Sequence, residues 1–329
     1  MVLIIWNFDL IGYGIGQGLG QWEILRNAIP VDDVLADPDV ADSVKLKLML
    51  VQEVRQYAID SLGIEDSNNY TTIYDQKGQD ILWIVTASRP FALEPKEWRF
   101  PFLGNVPYKG FFSYDKVLEE EAELEAKGWD TNIRAPGGWS TLGWFKDPIL
   151  SNMLLNSEGD LANTIIHELT HNTIFVKDSV ELNENLASFI GDEGALRFLA
   201  YKYGTDSKPF QNYLKGKKDR QIFTDHILRG AERLDTLFRS WPEDLDQEMK
   251  SRDKRELIEY IITSFDTLSL HENGRYREFL RGQKVNNAFF MSYLRYRINY
   301  DFFEEEFWRN FNGDLKSYLH YLKQKYPSL

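Results

Sequence analysis

The sequence predicts an α+β fold, mostly helical, with a small N-terminal sheet region followed by a helical core and C-terminal helices. Three observations predict it. Runs rich in β-formers, Tyr70–Tyr74 and Ile81–Ala87, lie in the first half. From about Leu161 onward, apolar residues recur at helical spacing. No repeat or low-complexity linker divides the 329 residues. The chain therefore reads as one unit over 1–329, with an α+β part at about 1–150 and a helical part at about 151–329.

Each element has a local reason. Residues 10–21 carry glycine at every second position from Gly12 to Gly20, but the GxGxxG pattern fails. Gln17, Leu19 and Gln21 stand where the third glycine belongs, and no apolar strand precedes them. A flexible or closely packed lead-in segment is expected instead. From Asp42, the residues Leu46, Leu50, Val51, Val54, Tyr57, Ala58 and Leu62 predict a core-facing helix, with Gly63 placed to end it. The nearly all-apolar Ile81–Ala87 suits a central strand, after which Pro90, Pro95, Pro101 and Pro107 break the chain.

Residues 114–127 hold Glu119, Glu120, Glu121, Glu123 and Glu125 ahead of Gly128, a helix with a solvated acidic face. Trp139–Phe145 reads as a strand. Lys208–Arg255, polar and interrupted by Gly216, Gly230 and Pro242, reads as a helical hairpin standing off the body. Helices continue through Asn286–Tyr326.

Composition removes several function classes. The 38 Lys plus Arg face 51 Asp plus Glu, a net charge of −13. Nucleic-acid binding needs clustered cations to release counterions, so nucleic acid is excluded as a partner. No window approaches the ~18–20 apolar residues of a membrane span, and Met1–Trp6 is too short for a signal core, so the chain as given reads as soluble. Without Cys there is neither a disulfide nor a cysteine-ligated metal, and the compartment stays open.

The sharpest chemical signal is His167-Glu168-Leu169-Thr170-His171 within Leu161–Phe175. On a helix, positions i and i+4 lie ~40° apart around the axis and ~6 Å along it, so both imidazoles face one point, a two-toothed metal clamp. Glu168 points beside the same site, where it can take a proton from a water. The surrounding residues are uncharged, as a buried ligand helix requires, although Thr173 is more polar than a core-facing position should be. With no Cys and no suitable nearby His, a third ligand must be a carboxylate.

Asp178, Glu181 and Glu184 follow downstream. Asp178 to Glu181 has capping-box spacing, so Asp178 or Ser179 starts the next helix and Glu181 turns back to its first turn. Glu184 then lies one turn inside, sharing its face with Ala187, Ser188, Gly191 and Ala195, small residues that let two helices approach closely. Glu184 is the expected third ligand; the alternative makes Glu181 the ligand and Glu184 a surface ion pair. Gly138–Leu142 imitates a GxSxG nucleophile elbow but places Leu142 at the last glycine position. His226, His271 and His320 lack partners and receive no role.

Further segments join these: Tyr13-x-x-x-Gln17-x-x-Gly20-Gln21 with Leu25, Val106–Phe112, Ser140–Phe145 with Asp147 and Pro148, Asn183 with Glu184, and Asn286-Asn287-Ala288 followed by Tyr296. Together they resemble the bacterial putative aminopeptidases, a family predicted to be zinc-dependent and gluzincin-like, over nearly the whole chain. The resemblance implies a zincin-like core with one Zn(2+) per chain, ligands His167, His171 and Glu184, Glu168 as general base, and a peptide substrate. It suggests that the strand Ser140, Thr141, Leu142, Gly143 through Phe145 offers its edge to an extended peptide. Plain core packing is the competing reading of Trp139, Trp144 and Phe145.

By motif position Tyr296 would stabilise the oxyanion, against a structural tyrosine among Tyr293 and Tyr300. Family members usually begin with an export signal ending just before the segment that starts here at Tyr13. Met1–Trp6 is then read as the tail of a longer export or anchoring segment, which implies the cell envelope or periplasm and membrane association through the N-terminus. Lacking Cys, the chain cannot be acylated at a lipobox. Three functional readings remain open: an aminopeptidase, a zinc endopeptidase, and a metal-stabilised binding protein without turnover. The first takes its exopeptidase character from the family alone; an intact Glu168 counts against the last.

Overall fold

In the computed structural model the described residues are 8–100, 104–136, 146–177, 179–295 and 300–326. Among them, twelve α-helices and eight short strands follow the expected order, strands early and helices late. The glycine-rich lead-in is a helix, α1 (Phe8–Asn27). Glycine costs about 1 kcal/mol per helical position, so contacts must offset it. Tyr13 Oη and Gln17 Nε2 both donate to the Gly110 carbonyl, at 2.8 and 2.9 Å, and Gly20 lies against the Phe112 ring, where no side chain would fit.

After β1 (Ile29–Pro30) and the short α2 (Val31–Ala36), α3 (Asp42–Tyr57) runs into a π turn, Ala58–Leu62. Gly63, at φ +84°, ends it as expected. Leu48, Val51 and Val54 are buried, but Leu46 is 63 % exposed, which corrects its place in the core stripe. It falls beside the buried face that Leu48 and Val51 define.

Strand β2 (Thr72–Tyr74) joins β1 antiparallel and β8 (Ile149–Leu150) parallel, pairing Ile73 with Ile149. The predicted central strand is central: β3 (Trp83–Ser88) lies between β6 (Lys109–Phe111) and β7 (Asp130–Arg134), antiparallel to both. The proline-rich excursion between them forms a separate ribbon of β4 (Trp98–Phe100) and β5 (Gly104–Val106). Helix α4 (Tyr114–Ala126), capped by Ser113, covers the sheet with Val117 and Leu124. Its acidic face is only partly a solvated one. Glu120 binds Lys109 and Trp98, while Glu121 and Glu125 both accept from Thr131.

The helical part begins with α5 (Glu158–Thr173) and α6 (Val180–Tyr203), the most extensively packed pair of elements among those described. Thr173, the unexpected polar residue, is buried and busy: its hydroxyl donates to the Leu169 carbonyl at 3.0 Å and accepts the Glu65 N–H at 3.1 Å. The predicted hairpin is present as α7 (Lys208–Ser240) and α8 (Gln247–Ser264), but it does not stand off the body. Phe223, Ile227 and Leu234 of α7 form a second core with Ile261 of α8 and Phe290 of α10 (Asn287–Arg295). Gly230 does not interrupt α7; a Cβ there would lie 2.8 Å from an Ile261 methyl and 3.1 Å from the Phe290 ring, so glycine permits the packing. Helix α9 (Asn273–Arg281) follows α8, and α11 (Tyr300–Phe311) and α12 (Leu315–Lys325) close the first core through Phe303, Phe307 and Tyr318 beneath α6.

One quoted motif, Asn286-Asn287, proves to be a staple between these parts. Asn287 Nδ2 donates to the carbonyls of Arg89, Pro90 and Ala92, its N–H donates to Asp130, and Asn286 Nδ2 donates to the Thr131 carbonyl. They fasten α10 to the sheet. No helix among the described residues is long and apolar enough to cross a membrane.

Candidate metal centre

Helix α5 starts where Ser157 accepts the Asp160 N–H, and its inner face buries Leu161, Ala162, Ile165, Ile166 and Leu169. That leaves Asn163, His167 and His171 along the side turned to α6. The loop back to α6 is tied by one residue. Asn183 accepts the Val176 N–H at 2.9 Å and donates to the Val176 carbonyl at 2.8 Å. Ser179 stands at the start of α6 without a side-chain cap bond, Glu181 is exposed in the first turn, and Asp178 lies outside the described residues.

The expected small-residue stripe is where the two helices meet. A Cβ on Gly191 would lie 3.1 Å from the Asn163 carbonyl oxygen and 3.2 Å from the His167 Cβ, so glycine permits the approach. Glu184, two turns earlier, is thereby brought over the histidines.

Three donor sets converge. His167 Nε2 and His171 Nε2 are 3.2 Å apart; Glu184 Oε2 is 3.6 Å from the first and Oε1 3.7 Å from the second. A tetrahedral ion with ligands at about 2.0–2.2 Å has its donor atoms about 3.3–3.6 Å apart, so these three groups fit one. Among the described residues this is the group that could hold a metal ion. Two imidazoles and a carboxylate supply the hard and borderline donors that zinc takes, with a fourth position left open.

The electrostatics agree with that use. Burial pushes the His171 imidazole down to about 4, which keeps it neutral with a lone pair to give. Burial works against the Glu184 carboxylate, but the hydrogen bond from His167, the two neighbouring imidazoles and the positive charge of Arg134 hold it down at about 2. Burial raises Glu168 to about 7; His167 opposes this, while the Glu184 and Asp147 carboxylates add to it. Such a value suits a group that must both take and return a proton near neutral pH.

One turn beyond the triad lies a network the sequence reading missed. Asp192 accepts from Asn163 Nδ2 (2.9 Å), Tyr213 Oη (2.7 Å), Tyr300 Oη (2.9 Å) and Arg220 Nη2 (3.3 Å). Asn163 precedes His167 by one turn on the same face, so helical periodicity extended from the motif would have found it; Asp192, eight residues after Glu184, is turned about 80° from that residue. With Arg134 and Ala135 at the end of β7, Asn163, Asp192, Arg220 and Tyr300 of this network line a cleft of ≈ 630 Å³. Strand β7 is the outer strand of its sheet. Its Thr131 carbonyl turns outward to Asn286, and two residues on, Ile133 turns the same edge toward the cleft.

The other expected site residues, Tyr296 and the strand residues Ser140, Thr141, Leu142 and Gly143, together with Trp139, Trp144 and Phe145, lie outside the described residues. The three unassigned histidines keep local partners: His226 the Ile261 carbonyl, His271 Asp219, and His320 Gln324.

A family model described as "Putative aminopeptidase" matches residues 12–325. No curated protein and no solved structure gives a match.

Proposed function

The chain belongs to this "Putative aminopeptidase" family, and from that premise we propose that it is a zinc-dependent aminopeptidase whose ligands are His167, His171 and Glu184. The observation that carries the proposal is the meeting of two Nε2 atoms and one carboxylate at 3.2 to 3.7 Å, with Glu168 next in sequence to the first ligand. Bound there, one zinc ion per chain supplies Lewis acidity to a water and to the scissile carbonyl.

The chain's own groups do the rest. Glu168 takes the proton of the attacking water and returns it to the leaving amine. His167 and His171, on one helix face, and Glu184, fixed by the Gly191 contact, keep the site's geometry with no rearrangement needed. Tyr296 and the Ser140–Gly143 strand are assigned oxyanion stabilisation and substrate pairing on motif position alone. The reading treats residues 1–329 as one unit working at the cell envelope.

One observation favours an endopeptidase as the second reading. Asp192, the carboxylate of the cleft, already accepts four donors and is ill suited to hold a substrate's α-amine. The test is metal per chain by elemental analysis of wild type and Glu168→Gln, followed by cleavage of one peptide with a free and with a blocked N-terminus. About one zinc in both proteins, and turnover of the free peptide only by wild type, is the expected result. Turnover of the blocked peptide selects the endopeptidase. No metal after zinc repletion overturns the proposal.

A further inference from the structure

The side of α7 turned away from the cleft carries a second, smaller pocket. It encloses ≈ 220 Å³ where His226, Arg229 and Arg233 of α7 meet Tyr260 and Ser264 of α8 and Thr267 just past it. Lys217, Arg220, Gln221 and Thr224 line the cleft, and at about 100° per residue the two sets fall on opposite faces of α7. A ligand in the small pocket therefore leaves the metal centre open.

Its charge is an exception in this molecule. The chain has a net charge of −13, yet among the described residues no Asp or Glu lines the pocket. Lys217, Arg220 and Arg239 of the same helix each meet a carboxylate, whereas Arg229 and Arg233, exposed and one turn apart, form no ion pair among the described residues. The Arg233 guanidinium lies over the Tyr260 ring, 5.4 Å from its centroid. Ser264 and Thr267 donate to the Ile261 and Ser264 carbonyls, at 3.0 and 2.7 Å, so their protons are already engaged. His226 Nε2 donates to the Ile261 carbonyl at 2.8 Å, which leaves Nδ1 a donor only when the ring is charged. Burial lowers the His226 pKa; the bond to Ile261 opposes this, and the charges of Arg229 and Arg233 add to the lowering. The donors left for a ligand are two guanidinium forks and the Tyr260 hydroxyl.

We propose that this pocket binds a phosphate group, held by Arg229 and Arg233 with the Tyr260 hydroxyl as a further donor. Two planar forks offer more N–H groups than the two oxygens of one carboxylate can take, while a phosphate monoester brings three strong acceptor oxygens and up to two charges. A small space lined by one sign of charge also concentrates the field that draws such an anion in. Free phosphate and the head of phosphatidic acid share this chemistry, and the test separates them.

The full chain is titrated with inorganic phosphate in place of chloride at constant ionic strength. The readout is the His226 ring-proton signal, identified as the one absent from His226→Gln. A saturable shift is expected, with a rise in the His226 pKa as the bound anion offsets the two arginines. The double variant Arg229→Gln with Arg233→Gln loses no ion pair, so its melting temperature and metal content are expected to match wild type. Its phosphate affinity should fall about 10-fold for each arginine removed. Cosedimentation with vesicles containing phosphatidic acid, but not with phosphatidylcholine alone, assigns a lipid headgroup if the double variant loses it. The phosphate shift without such cosedimentation assigns free phosphate. A His226 signal indifferent to phosphate, or a double variant that binds as tightly as wild type, overturns the proposal.

Discussion

Helices α5 and α6 and helices α7 and α8 are both consecutive pairs, with α5, α6 and α7 lining one cleft, yet the pairs are built on opposite principles. Where α5 faces α6, the contact is made by small and apolar side chains, with Gly191 pressed against the backbone of Asn163. The long α7 buries a narrow stripe and covers the remainder of its surface with Lys, Arg, Asp and Glu, several of them in ion pairs. The first pair holds three side chains with their donor atoms 3.2 to 3.7 Å apart. The second shapes a wall. Tight apolar contact tolerates little change, since interiors respond to a single added methyl group, while an ion-paired wall relaxes into water.

The largest expected effects break the first pair. His167→Ala, His171→Ala and Glu184→Ala should each abolish stoichiometric metal binding by elemental analysis, whereas Glu181→Ala should retain it. Glu168→Gln should keep the metal and lose about 10²–10⁴-fold in kcat. Glycine sharpens the contrast next. Gly191→Ala must displace the Asn163 carbonyl or the His167 Cβ, and about 1–3 kcal/mol of stability should go with it. Gly216→Ala in α7 meets only the tip of Arg220, at 3.7 Å, and should gain about 0.5–1 kcal/mol. Thermal denaturation of the two variants measures both signs.

The wall has its own pH dependence. Asp219 of α7 is buried, which alone would raise its pKa. The N–H of His271, its imidazole, and the N–H of Glu272 outweigh this and hold the carboxyl below its ordinary value. A depressed carboxyl contributes stability that is complete above the unfolded value near ~4 and is lost as pH falls through the folded one. Asp219→Asn should therefore cost about 1–2 kcal/mol at pH 7 and flatten the decline of stability in acid, as followed by urea denaturation at several pH values. At the small end, Arg239→Ala removes an exposed i,i+4 pair with Asp235 and should change stability by less than about 0.5 kcal/mol.

The legible parts of this molecule were the local ones. His167, His171 and the small residues after Glu184 announce themselves because helical spacing alone puts them on one face. Ile81–Ala87 reads as central because a strand buried on both faces needs apolar residues throughout. Asp192, Arg134 and the β7 edge were hidden because their meeting depends on packing between elements far apart in sequence.

The misread hairpin has a related cause. A 33-residue helix can be polar in composition and still bury Phe223, Ile227 and Leu234 along a single stripe. In α1, contacts with Gly110 and Phe112 override the weak helix propensity of glycine. The Asn286-Asn287 motif was visible as a pattern, but its work is to tie α10 to the sheet.

The double hydrogen bond between Asn183 and Val176 bears on how the centre comes into being. It closes a short connection, so all three donors lie in one helical hairpin between His167 and Glu184, and little chain entropy opposes their meeting. Contacts so close in sequence form early, before distant strands such as β2 and β8 find each other. The hairpin can thus gather its donors while the rest of the chain is still unfolded, and an ion captured at that stage would guide the later folding steps as well as serve the finished site.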